Sequence, residues 1–212
     1  MKILSISDIH CNLNKLKPIK YKYADILIIA GDLTNIGSKF ELKNVIDKID
    51  SFEHIKHRII VLGNHDARNI HNLDGLCEKD VYNWCREMYP DLIFLDNEII
   101  EICGLKIYGT GWNIGYKRMW AFEYTLENRQ KLTCPKDSVD IIITHEPPSS
   151  YNLSYIDHFG EDLGNPSLRY WLEVNKCKLL ICGHLHELSG SVDYINECKC
   201  VNVAGKLIEE EI

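Results

Sequence analysis

The sequence contains no apolar run approaching the roughly 18 residues that a membrane-spanning helix needs, so a bilayer span is not expected. It has no surplus of positive charge: 24 Lys and Arg face 31 Asp and Glu, a formal net charge of −7. That balance argues against an extended nucleic-acid-binding face. Its nine cysteines include no paired CxxC motifs, which argues against a structural zinc site. Free thiols in this number point to a reducing, cytoplasmic compartment. The nearest approach to a thiol motif, Cys198-Lys199-Cys200, reads as two same-face residues of a late strand. Neither repeat nor low-complexity tract nor linker divides the chain, so residues 1–212 are expected to form a single domain. Met1-Lys2 runs straight into a strand-like segment, so no signal or transit peptide is expected.

Five apolar, strand-like runs, in contrast, each end in a polar cluster. Ile3 to Ser7 leads into Asp8-Ile9-His10, and Ile26 to Ala30 into Gly31-Asp32. Ile59 to Leu62 leads into Gly63-Asn64-His65-Asp66. Ile141 to Thr144 ends at His145, and Leu179 to Cys182 runs into Gly183-His184-Leu185-His186. Continuous apolar runs are the mark of strands buried on both faces. Ligands of such folds bind beyond the carboxyl ends of the strands.

Between the runs lie helix signals. Ser38 to Phe52 opens with a capping box, Ser38 and Glu41, and carries a stripe of Phe40, Val45, Ile46 and Ile49. Glu78 to Tyr89 is a second helix stopped by Pro90, Trp120 to Lys131 a third, and Ser167 to Val174 a fourth. Glu98 to Tyr108 reads as a hairpin turning at Cys103-Gly104, and Gly190 to Ile208 supplies two or three further strands. These strands outnumber the needs of one parallel sheet. The expected fold is α/β: a four-layer αββα sandwich, two mixed β-sheets flanked by helices.

Hydrolysis of a phosphate ester at neutral pH needs a hydroxide and neutralisation of the phosphoryl oxygens, and two adjacent metal ions supply both. Such a site needs a bridging carboxylate with oxygen and imidazole ligands on each ion. Asp8, His10, Asp32, Asn64, His145, His184 and His186 furnish that set. Asp32, alone after Gly31, is the natural bridge.

The ordered motifs Asp8-x-His10, Gly31-Asp32, Gly63-Asn64-His65-Asp66, His145 and Gly183-His184-x-His186 resemble the calcineurin-like metallophosphoesterase superfamily over residues 1 to 186. The resemblance implies that Asp8, His10 and His186 hold one metal, that Asn64, His145 and His184 hold the other, and that Asp32 bridges both. It implies that His65 faces the substrate and assists the leaving oxygen, with Asp66 orienting it by a hydrogen bond. Thr144-His145-Glu146-Pro147-Pro148, Gly164, Leu168 and Gly109-Thr110-Gly111-Trp112 are similar to the small metallophosphoesterase-domain branch, which includes phosphodiesterases acting on cyclic nucleotides. Some members of that branch lose one of the paired histidines and their activity with it; His184 is retained here.

The expected activity is therefore that of a phosphodiesterase acting on a small phosphodiester or nucleotide, with two divalent ions, Mn²⁺ foremost and Fe, Zn, Ni or Co as alternatives. Arg68 is a candidate phosphate clamp. Trp112 is a candidate nucleobase platform, and His158 a candidate substrate contact in the loop after His145. Three rivals compete. A protein Ser/Thr phosphatase would continue the Gly31-Asp32 motif with an Asp-Arg-Gly, where this chain has Leu33-Thr34-Asn35-Ile36-Gly37 and no such arginine, and would end the third motif in Glu rather than Asp66. A nuclease would add a DNA-capping domain and a basic surface. A non-catalytic scaffold would be expected to lack His65 or a ligand.

Overall fold

The computed structural model describes residues 1–69, 72–73, 75–114, 119–124, 133–158, 160 and 162–212. Its elements in chain order are β1 (Lys2–Ile6), a 3-10 stretch (Leu13–Tyr21), β2 (Ile26–Ala30), α1 (Lys39–Asp50), β3 (His57–Val61), α2 (Glu78–Met88) and β4 (Ile93–Phe94). Then follow β5 (Glu98–Ile102), β6 (Leu105–Thr110), β7 (Asn113–Ile114), β8 (Glu123–Tyr124) and β9 (Ile141–Thr144). The last part holds α3 (Pro166–Val174), β10 (Leu179–Cys182), β11 (Val192–Ile195), β12 (Cys198–Asn202) and β13 (Ile208–Glu211).

Two mixed sheets form, in the orders β13-β1-β2-β3-β4 and β11-β12-β10-β9-β6-β5. β13 and β1 are antiparallel at one edge, while β1, β2, β3 and β4 run parallel. In the second sheet β12, β10, β9 and β6 are parallel, and antiparallel β11 and β5 close its edges.

Alternation along each strand sorts the core into three layers. Ile3, Ile26, Ile28, Ile59 and Val61 meet Ile107, Ile141, Ile143, Ile181 and Val201 between the sheets. Leu4, Ile6, Leu27, Ile29 and Ile60 pack outward against Val45, Ile46 and Ile49 of α1 and Val81 and Tyr82 of α2. Ile142, Leu180 and Cys200 pack outward against Leu168, Trp171 and Leu172 of α3. This is the expected four-layer αββα arrangement.

Local signals explain most elements. Both capping-box bonds of α1 form at Ser38 and Glu41. Asn165 caps α3 through its side-chain oxygen, and Cys103-Gly104, both at positive φ, turn the β5–β6 hairpin. Two expectations differ. Phe40 is 81% exposed and Leu42 takes its place in the stripe, because Leu42 is the residue in phase with Val45, Ile46 and Ile49. The helix expected over 120–131 does not begin at Trp120: residues 120–124 turn and enter β8, and 125–131 lie outside the described residues. Cys198 and Cys200 are buried side by side on one face of β12, and all nine cysteines are free thiols.

Candidate metal centre

The parallel strands of both sheets end at one edge of the sandwich, and their polar clusters meet there. The chain has to bend hard to bring them in. Asp8, His10, Asp32 and His184 all adopt positive φ, between 48° and 67°, a conformation that non-glycine residues rarely take outside sites where surrounding contacts enforce it. The glycines before the clusters clear space for the ligands. A Cβ on Gly31 would run into the His145 ring, one on Gly63 into the Asp32 carboxylate, and one on Gly183 into Ser7 and the Asp8 carboxylate.

Two groups of side chains result. The ligand atoms of Asp8, His10 and His186 lie within 4.8 Å of one another, as do those of Asp32, His145 and His184. Asn64 joins the second group, its Oδ1 lying 3.0 Å from Nε2 of His145. Asp32 links the two: its Oδ2 stands 3.3 Å from Nε2 of His145 and 3.7 Å from Nε2 of His10. Its Oδ1 is occupied by the His65 backbone N–H at 2.9 Å.

The donor set suits divalent cations. Nδ1 of His10 lies 3.0 Å from the Thr34 carbonyl, and Nδ1 of His145 lies 2.9 Å from the Ala30 carbonyl. A carbonyl only accepts, so each Nδ1 carries the proton and each Nε2 is turned toward the Asp32 carboxylate. This is how ligating imidazoles are oriented. Asp8 and Asp32 are almost fully buried, and among the described residues the cations facing their carboxylates are imidazoles alone.

Protons do the balancing in the absence of ions. Burial would raise the Asp32 carboxyl, but His145, His65 and His10 outweigh it and hold it well below the usual range. Burial would lower His145, yet Asp32, Asp8 and the Ala30 carbonyl raise it to about 10. His184, buried and beside that charge, falls to about 4. His186 is raised by its hydrogen bond to Asp8. Positive charge is thus demanded at the places where two ions would sit, and the residues fit them.

A cleft of about 430 Å³ opens over the groups, lined by His10, Asp32, Asn64, His65, Tyr155, His184, Leu185, His186 and Glu187. His65 belongs to neither group. Its Nδ1 meets the Asn35 carbonyl at 2.6 Å, and its Nε2 lies 4.0 Å from Oδ2 of Asp32.

The sequence reading has Asp66 bonding to His65; the structure corrects this. The Asp66 carboxylate accepts from the backbone N–H of Leu33, Thr34 and Gly63 and from the Thr34 hydroxyl. It staples the Asp32 loop to the Asn64 loop, and the Asn35 carbonyl orients His65. Burial, together with the nearby Asp32 charge, pushes Asp66 up to about 6 against those N–H bonds.

Trp112 is also corrected. Gly109 and Gly111 do not turn the chain into the cleft; they let it press close to the neighbouring sheet, Gly109 against Leu95 and Val61 and Gly111 against the Leu62 carbonyl. Trp112 therefore goes into the α2-side core, edge-on to Phe122 at 5.8 Å, with its Nε1–H donated to Asp96 at 3.1 Å. Arg68 and His158 are exposed and are not among the cleft-lining residues.

Sequence reasoning missed Trp120, whose ring lies tilted against His65, and it missed Tyr155 and Glu187. Glu187 directly follows His186, so adjacency to a motif could have found it. Tyr155 carries no such signal.

A two-sheet α/β sandwich with two adjoining cation-suited groups at its strand ends defines the class. A family model described as calcineurin-like phosphoesterase matches residues 1–188, and the chain belongs to that family. This bears out the resemblance of the motifs. The chain is 28% identical over 220 residues to a UPF0046 protein of Caenorhabditis elegans, covering 94% of this chain and 70% of that one. It is 24% identical over 221 residues to metallophosphoesterase domain-containing protein 1 of Homo sapiens, covering 94% and 66% respectively. Among solved structures, phosphopantetheinyl hydrolase from Mycobacterium tuberculosis shares the fold with a TM-score of 0.60 at 13% identity, over 96% of this chain and 88% of that one. The family is one of metal-dependent phosphoesterases. Among the described residues no helix is long and apolar enough to cross a membrane.

Proposed function

We propose that this chain hydrolyses small phosphodiesters with the help of two divalent ions, Mn²⁺ foremost. The observation that carries the reading is the position of Asp32, whose Oδ2 faces both ligand groups at 3.3 and 3.7 Å. Asp8, His10 and His186 would hold one ion, Asn64, His145 and His184 the other, and Asp32 both. Ions there would neutralise phosphoryl oxygens and lower the pKa of an attacking water.

The chain's own residues do the rest. The Asn35 carbonyl keeps a proton on Nδ1 of His65, so Nε2 is the atom that handles the second proton. A proton on Nε2 passes to the departing ester oxygen, which matters most when that oxygen leaves as an alkoxide. Tyr155 and Glu187 stand at the cleft wall beside His184 and His186. A carboxylate there disfavours the second negative charge of a monoester more than the single charge of a diester.

The test is a panel of diesters, cyclic nucleotides included, against monoesters with Mn²⁺ supplied. Diesters should show the higher kcat/KM. Monoesters turned over faster than every diester would overturn the diester reading.

A further inference from the structure

The His65 imidazole is anchored through one hydrogen bond, from Nδ1 to the Asn35 carbonyl. That bond, with the covalent tether at Cγ, resists rotation of the ring, while Nε2 lies on the far side of the ring and carries no hydrogen bond among the described residues. The other restraint comes from rings. The His10 and His65 ring centroids lie 4.9 Å apart with the rings perpendicular, and the Trp120 indole lies against His65 with centroids 4.1 Å apart and the planes tilted by 36°. The latter is a close, tilted ring contact.

The segment that bears Trp120 is pinned to both metal loops. The Trp120 N–H donates to Glu123 at 3.2 Å, and the Ala121 N–H donates to the Asn64 carbonyl at 3.2 Å. Phe122, at φ 55° and fully buried, packs edge-on to Tyr82 and Trp112, and its carbonyl accepts the Asn113 N–H at 2.9 Å. The Tyr124 hydroxyl donates to Glu146 at 2.6 Å, next to His145. The indole is therefore placed by the same loops that place Asn64 and His145. It has no proton to exchange at working pH and no metal-binding atom.

We infer that Trp120 is a positioning residue: its face fixes the plane of the His65 imidazole so that Nε2 meets the leaving oxygen. The inference rests on the reading of His65 as proton donor.

The test compares wild type, Trp120→Ala, Trp120→Phe, His65→Gln and the double variant Trp120→Ala/His65→Gln, each loaded with Mn²⁺. The substrates are the 4-nitrophenyl ester of thymidine 5′-phosphate and thymidylyl-thymidine, which share a nucleoside but lose a nitrophenolate and an alkoxide respectively. Trp120→Ala should lower kcat on the dinucleotide by about 10–10²-fold and on the nitrophenyl ester by less than about threefold. Metal content and Tm should stay near wild type, and Trp120→Phe should restore most of the loss. In the His65→Gln background, Trp120→Ala should cost nothing further. Equal losses on both substrates, or full additivity with His65→Gln, would overturn the inference. Leaving-group-independent behaviour of His65→Gln itself would instead remove the proton-donor reading, and this inference with it.

Discussion

The glycines ahead of the ligand clusters allow backbone strain and steric clash to be separated. Gly31 sits at φ 92° with the His145 ring where its Cβ would be. Gly183 has no positive φ but faces Ser7 and Asp8. Gly104, in the hairpin turn, sits at φ 78° with nothing within 4 Å. Gly104→Ala therefore measures conformational strain alone, about 1–2 kcal/mol less about 0.4–1 kcal/mol from the stiffer unfolded chain. Gly183→Ala measures overpacking alone, about 1–3 kcal/mol. Gly31→Ala combines both and should lower stability by about 2–5 kcal/mol. Relief at Gly31 would require the buried His145 ring to leave the Ala30 carbonyl, 2.9 Å away. Urea unfolding in EDTA reads the stability order Gly31→Ala, Gly183→Ala, Gly104→Ala, from most to least damaged. Elemental analysis after Mn²⁺ loading reads the sites. Gly104→Ala should keep the full complement, Gly183→Ala should weaken the Asp8 group, and Gly31→Ala the His145 group. If Gly31→Ala were no less stable than Gly104→Ala and held as much metal as wild type, the account of these glycines as ligand clearances would be wrong.

Asp32→Asn should abolish turnover and weaken both ions together; elemental analysis that shows only one ion lost would deny the bridge. His65→Gln should keep its metal while losing about 10²–10⁴-fold in kcat, most for alkoxide leaving groups, as steady-state rates across a leaving-group series would reveal. Trp112→Ala should act as a core substitution. A loss near 3 kcal/mol corresponds to a fall of about 6–12 °C in Tm, with every substrate affected alike; selective loss on nucleotides at unchanged Tm would return Trp112 to the cleft.

The fold was legible where short-range chemistry decided it. Strand runs, the Ser38 capping box and the Cys103-Gly104 turn are local signals, and the structure follows them. The ligand groups were legible because each sits at the end of a run whose hydrophobicity marks it as buried. What escaped depended on contacts between distant segments. The sequence offers Gly109 and Gly111 as turn formers, but their missing side chains serve close approach to Leu95 and Leu62, and Trp112 follows them into the core. Asp66 adjoins His65 in sequence, yet besides the Gly63 N–H its donors lie 32 and 33 residues away at Thr34 and Leu33. Trp120 reads as a helix start because nothing local shows that Phe122 takes a positive φ and turns the chain.

Each ligand group draws on both sheets. Asp8 and His10 follow β1, whereas His186 follows β10; Asp32 and Asn64 follow β2 and β3, whereas His145 and His184 follow β9 and β10. An ion in either group would thus act as a rivet through the sandwich, joining residues up to 178 positions apart. Mechanical integrity of the catalytic edge then becomes a function of free metal concentration, worth about 2.7 kcal/mol at a hundredfold excess over Kd. Starvation for metal would loosen the seam between the sheets from that edge inward, opening Ile143 and Ile181 to solvent exchange before the opposite end of the same strands.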